Sequence, residues 1–161
     1  MSENAAIDHP YSRLVSPPVE NLDSLRQPLT PGERLVFDVF NQYLSPKWEI
    51  YIQPHLNGLR PDFVLLNPDV GIAVFEVKDW DLSAMHYGVA DRKDKPPLLW
   101  AEKDGQQFSL QRENPVEKVH IYRNEIFEIY CPRLKQGAGF AAITAGVIFP
   151  FCPERELYEL L

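Results

Sequence analysis

Cysteine is scarce. Cys131 and Cys152 are the two in 161 residues, too few for a disulfide framework, and neither belongs to a CxxC or a Cys/His cluster. Both read as packing residues. Long apolar runs are missing as well: nothing approaches the roughly 20 residues that a membrane-spanning helix needs, and the opening MSENAAIDHPYSRL lacks the apolar centre of a signal peptide. The expectation is a soluble cytoplasmic protein with no membrane partner. Basic charge is short too, with 16 Lys and Arg against 23 Asp and Glu and a formal net charge of −7. That balance excludes a protein that coats nucleic acid with a basic surface, so any nucleic-acid role is confined to a local site with a metal ion. His9, His55, His86 and His120 show no ligand spacing, which argues against zinc. A Gly-rich phosphate loop is absent, and nucleotide hydrolysis would have to lie elsewhere in a longer chain. What is present is a 45% hydrophobic composition, enough for one domain with a real core and against a disordered tail, a coiled coil or a collagen-like fibre.

Residues 1–29 hold Pro10, Pro17, Pro18 and Pro28 with little periodicity, which predicts a Pro-rich extended arm without helix or strand. Thr30-Pro31-Gly32-Glu33 then gives a cap, a proline suited to the first helical position and a capping-box glutamate. Leu35, Val36, Val39, Phe40, Tyr43 and Leu44 continue it as an amphipathic helix ending near Ser45-Pro46. Strands are expected at 48–52, 62–66 and 71–78, the last two joined as a hairpin by the turn composition Asn67-Pro68-Asp69-Val70. Residues 80–112 read as a second, less regular hairpin and loop. Asn114-Pro115-Val116-Glu117 repeats the helix-start signature, and that helix should stop before Pro132. Ala141 to Phe149 reads as a buried strand, and 153–161 as the start of a helix belonging to a longer chain. The domain proper is therefore expected at 30–152.

The hairpin carries the chemistry. If Leu66 faces Ile72, the antiparallel register sets Asp62 opposite Glu76, where Cβ atoms lie about 5 Å apart and like charges repel. Two carboxylates so placed want a cation between them. Glu76 and Lys78 are two apart on one strand and leave on the same face, so Asp62, Glu76 and Lys78 converge beside an apolar sheet. Mg²⁺ is bound through one or two carboxylates while it keeps several waters, and Asp62, Glu76 and the backbone carbonyl of Val77 would supply such a site. A lysine beside a metal can steady a water or the charge developing on a phosphate. Glu33 shares a helical face with Val36, Phe40 and Leu44, and a helix packed on the sheet by that face aims Glu33 inward. Simpler readings stand beside these. Glu33 serves as a capping-box residue, Asp62 after Pro61 as a turn residue, and Glu76 with Lys78 as an exposed ion pair worth at most about 1 kcal/mol.

Pro61-Asp62, then Glu76-Val77-Lys78, with Glu33 on a preceding helix, resembles the PD-(D/E)XK nuclease superfamily. More narrowly, Gly32-Glu33, Asp62-Phe63-Val64, Gly71-Ile72, Glu76-Val77-Lys78-Asp79-Trp80 and Asn114-Pro115 resemble the NERD (nuclease-related) domain over roughly residues 30 to 150. The resemblance implies an α/β fold, a restriction-endonuclease-like central mixed sheet flanked by helices with an α-β-β-β-α-β core. It also implies hydrolysis of DNA phosphodiesters with Mg²⁺ or Mn²⁺, in DNA processing beside a C-terminal helicase or other module. Asp62 and Glu76 would be metal ligands, Lys78 would position the water, and Glu33 would support the metal or its waters. Related domains carry a glutamine four residues before a tyrosine, where this chain has Lys118 and Tyr122. One helical turn apart, the two project together and are both expected to bind the DNA substrate, with Lys118 on a phosphate, or else Lys118 is a solvated partner of Glu117 or Glu125. Competing with the enzyme are a catalytically inactive nuclease-like module that binds DNA or protein, and a structural accessory domain of a helicase.

Overall fold

The structure, a computed structural model, describes residues 13–82, 85–110, 114–133 and 142–160, with the backbone alone at 95–97 and 158–160. His9, the arm over residues 1–12 and the Ala141 start of the last strand lie outside the described residues. Thr30 opens helix α1, Pro31–Tyr43, and the capping box closes in both directions: the Thr30 hydroxyl accepts from the Glu33 amide at 3.1 Å, and Glu33 Oε2 accepts from the Thr30 amide at 2.9 Å. Strands β2 (Glu49–Ile52), β3 (Phe63–Asn67) and β4 (Gly71–Val77) follow as an antiparallel meander. Helix α2, Pro115–Glu125, is capped by the Asn114 side chain and runs into a π-helical turn, Ile126–Tyr130. Strand β8, Ile143–Ile148, then pairs in parallel with β4. This is the expected α-β-β-β-α-β core, and with a short first strand β1, Val15–Ser16, it makes an α/β fold around a mixed sheet in the order β1-β2-β3-β4-β8.

Alternation along the strands divides the apolar residues between two faces. Ile50, Ile52, Phe63 and Leu65 join Val36 and Phe37 beneath α1, whereas Val74 and Ile143 join Val119, Tyr122 and Ile126 beneath α2. The sheet is thus covered on both sides, as a parallel pairing requires. Along α1 the inward face is Glu33, Val36, Phe37 and Phe40, and the Leu35, Val39 and Tyr43 stripe stays exposed.

Two expectations are corrected. Residues 13–29 are not a bare extended stretch. They contain strand β1, Val15–Ser16, parallel to β2, and a 3-10 helix at Val19–Ser24. Leu22 is 1% exposed in the core, a burial worth about 1.5–3 kcal/mol, and the Arg13 guanidinium donates to the Phe40, Asn41 and Leu44 carbonyls that end α1. Prolines interrupted the periodicity without removing these anchors. The segment after Lys78 is a three-stranded antiparallel sheet of β5 (His86–Arg92), β6 (Lys95–Lys103) and β7 (Gln106–Ser109), one strand more than expected. The added strand follows a two-residue turn in which Asp104 and Gly105 have φ of 53° and 76°, the backbone that Asp-Gly favours.

Candidate active site

The β3–β4 hairpin sets the geometry. Leu66 pairs with Ile72 and Phe63 with Phe75, so the register continued by one residue brings Asp62 opposite Glu76 at the open end. Asp62 lies just before β3 and reaches across, where its Oδ2 accepts the Val77 amide at 2.7 Å. Val77 therefore meets Asp62 through its N–H. Glu76 is 4% exposed and its charge is answered from two elements. Lys78 Nζ, two residues on, lies 2.8 Å from Glu76 Oε1, and Lys118 Nζ from α2 lies 3.2 Å from the same oxygen. Tyr122 donates to the other oxygen, Oε2, at 3.1 Å, with a longer approach of 3.4 Å to the Arg60 carbonyl. The i, i+4 spacing of Lys118 and Tyr122 thus delivers both to one carboxylate.

Glu33, 7% exposed, both caps α1 and faces the site from the opposite side of the sheet end. Its proximity is felt at Asp62. Burial first, then the Glu76 charge, push the Asp62 carboxyl up to about 7, with Glu33 adding in the same direction and the Val77 amide opposing. Burial and Glu76 raise the Tyr122 phenol as well, so it remains a donor. The structure thus brings together Glu33, Asp62, Glu76, Val77, Lys78, Lys118 and Tyr122. Glu33 caps α1 and also lies beside Asp62, and Glu76 and Lys78 form an inward pair in place of an exposed one. Tyr122, expected to touch DNA, is 6% exposed and turned to Glu76.

One contributor, Asp79, enters the sequence reading only within the family motif and is given no role there. Asp79 accepts from the Thr30 hydroxyl and from the Gly32 amide, each at 2.9 Å, and so ties the residue after Lys78 to the first turn of α1 that carries Glu33. A Cβ on Gly32 would lie 2.2 Å from Asp79 Oδ1 and 2.8 Å from Pro150 Cγ. Gly32→Ala is expected to break this tie and lower Tm by about 2–4 °C, the equivalent of about 1 kcal/mol. A melting curve checks it, and an unchanged Tm would show that the tie contributes nothing.

The donor set fits a hard cation. Asp62 and Glu76 offer carboxylate oxygens, and the upward push on Asp62 marks a place where added positive charge would be stabilising. Among the described residues, no group of three or more His, Cys, Asp and Glu is arranged to hold a metal, so the candidate rests on the Asp62 and Glu76 pair and not on a preformed cluster. An apolar cavity of about 330 Å³, lined by Tyr51, Leu56, Val64, Leu66, Ile72 and Tyr130, lies toward the other end of the hairpin and contributes nothing to the carboxylates. Both cysteines are free; the Cys152 thiol donates to the Trp80 carbonyl. No helix of the described residues is long and apolar enough to cross a membrane.

The family model described as NERD, nuclease-related domain, matches residues 29–150. That span takes in every residue of the site. No curated protein and no solved structure matches the chain.

Proposed function

Because the chain belongs to the nuclease-related domain (NERD) family, we propose that it hydrolyses the phosphodiester bonds of DNA with a divalent cation, Mg²⁺ or Mn²⁺, held by Asp62 and Glu76. The observation that carries this reading is the opposed Asp62 and Glu76 at the hairpin's open end, with Lys78 on Glu76 and Glu33 beside Asp62. The cation would be completed by the Val77 carbonyl and waters, and when bound it supplies the Lewis acid that offsets charge on the phosphate and acidifies a water. Lys78 donates to that water or to a non-bridging phosphate oxygen, fixing the line of attack on phosphorus. Glu33 orients waters from the α1 side, Tyr122 holds Glu76 in its rotamer, and Lys118 faces the incoming phosphate. The water oxygen joins phosphorus and gives up a proton to solvent, one P–O ester bond breaks, and the leaving sugar oxygen takes a proton from a solvent water. The proposal includes a cytoplasmic role in DNA processing, beside a helicase or another DNA-processing module.

A single comparison tests it. The chain is incubated with single- and double-stranded DNA in Mg²⁺, Mn²⁺ and EDTA, alongside Lys78→Ala. Cleavage in either metal, none in EDTA, and a loss of roughly 10²–10³-fold in Lys78→Ala with Mn²⁺ binding retained are expected. One observation favours a second reading: two ammonium groups already neutralise Glu76 Oε1, as they would in a nuclease-like module that binds DNA without turnover. Absence of cleavage in every metal, together with retained DNA binding, would select that reading.

A further inference from the structure

We infer that Lys118 is a tethered countercation, which holds Glu76 until a divalent cation takes its place and then turns to a DNA phosphate, so that cation binding and DNA binding are coupled. The inference rests on the cation site proposed above and concerns what the chain's own charges do around it.

Glu76 is saturated. Its side chain is 5% exposed, Oε1 takes Lys78 at 2.8 Å and Lys118 at 3.2 Å, and Oε2 takes the Tyr122 hydroxyl. A second positive centre on Oε1 would lie within a few ångströms of both ammonium groups, where like charges in a half-buried site repel strongly. For a cation to reach Oε1, one lysine must therefore give way. The structure distinguishes them. Lys78 makes the shorter contact, is 20% exposed and is tied to the same strand as Glu76. Lys118 makes the longer contact, is 34% exposed and reaches in from another element. It also occupies the first turn of α2, where the helix dipole disfavours positive charge. Its place there is therefore not explained by the helix it belongs to. Lys118 is the side chain that leaves at least cost, and its flexible stem keeps the ammonium at the mouth of the site, where it meets a phosphate as a point charge. A glutamine at this position could do neither, since it carries no charge to surrender or to offer.

Coupling of this kind is reciprocal. Lys118 weakens cation binding in the absence of DNA, and the freed ammonium strengthens DNA binding in its presence. The test uses the 161-residue chain, with Mn²⁺ titrated calorimetrically into wild type, Lys118→Gln and Lys118→Met. DNA affinity is measured separately on a phosphorothioate duplex over a range of salt, with and without Mn²⁺. Both variants should bind Mn²⁺ roughly tenfold more tightly than wild type, the scale of one partly exposed ion pair removed. In wild type, Mn²⁺ should raise DNA affinity and steepen the salt dependence by about one phosphate contact, and in the variants that increment should vanish. Equal Mn²⁺ affinity in all three proteins overturns the inference and leaves the cation site standing. Absence of Mn²⁺ binding in wild type and variants alike overturns both.

Discussion

Asp62→Asn is expected to stabilise the metal-free chain above neutral pH while abolishing the proposed cation binding and cleavage. The Asp62 carboxyl sits at about 7 against an ordinary 3.8, so the folded state keeps a proton that the unfolded state has released. Between about pH 4 and pH 7 the folded state binds more protons, and its stability falls as pH rises through that window. The penalty is fully present above the folded value. It amounts to at most on the order of 4 kcal/mol, and less after solvent screening of a half-buried group. Asparagine has the same shape, still accepts from the Val77 amide and does not titrate. At about pH 8 its Tm should lie roughly 5 °C above wild type in EDTA, converging with wild type near pH 4. Excess Mn²⁺ should reverse the order, because only the wild type gains stability from a bound ion. Scanning calorimetry over pH, with and without Mn²⁺, checks every part; a wild-type Tm flat from pH 5 to pH 8 in EDTA would remove the electrostatic argument.

Glu76→Ala acts in the opposite direction. It strips the acceptor from Lys78, Lys118 and Tyr122 at once and leaves two ammonium groups facing each other in a half-buried site. Removing one partner of such a network costs about 3–5 kcal/mol, offset in part because Asp62 loses its repelling neighbour. A fall in Tm of about 10 °C is expected, with no measurable Mn²⁺ binding. Glu76→Gln keeps the Tyr122 acceptor and the volume, so it should lose less than half as much stability and equally all of the Mn²⁺ binding. If alanine and glutamine melt together, the lysines contribute little through charge.

The site was legible where chemistry follows a short periodicity. Counting outward from the Asn67–Val70 turn fixes Asp62 against Glu76, and a spacing of four on a capped helix brings Lys118 and Tyr122 to one point. The capping box could be read from the three-residue spacing of Thr30 and Glu33. Less was legible where contacts span distance or where composition hides them. Nothing local marks Asp79 as the anchor of a helix that begins nearly fifty residues earlier. Leu22 is one apolar residue among polar neighbours, and only the core around it shows why the N-terminal stretch coils. Strand β7 shows no inward alternation, since all four of its residues are exposed, although Asp104-Gly105 offered the turn signal. Tyr122 was placed at the DNA because its face was known, while its burial was not.

The chain leaves the α/β core after Lys78, forms the β5–β6–β7 sheet, and re-enters at Asn114. Lys78 and Lys118, which bracket that excursion, end on the same oxygen of Glu76. The departure and return points are therefore neighbours at the mouth of the site, while Asp62 and Glu76 lie upstream in a hairpin that the excursion does not interrupt. A segment whose ends already meet can lengthen or shorten with only a logarithmic entropic cost. The β5–β7 sheet is thus the natural place for this architecture to acquire a new surface beside an unchanged core, with selection able to reshape what approaches the carboxylates and leave the carboxylates themselves alone.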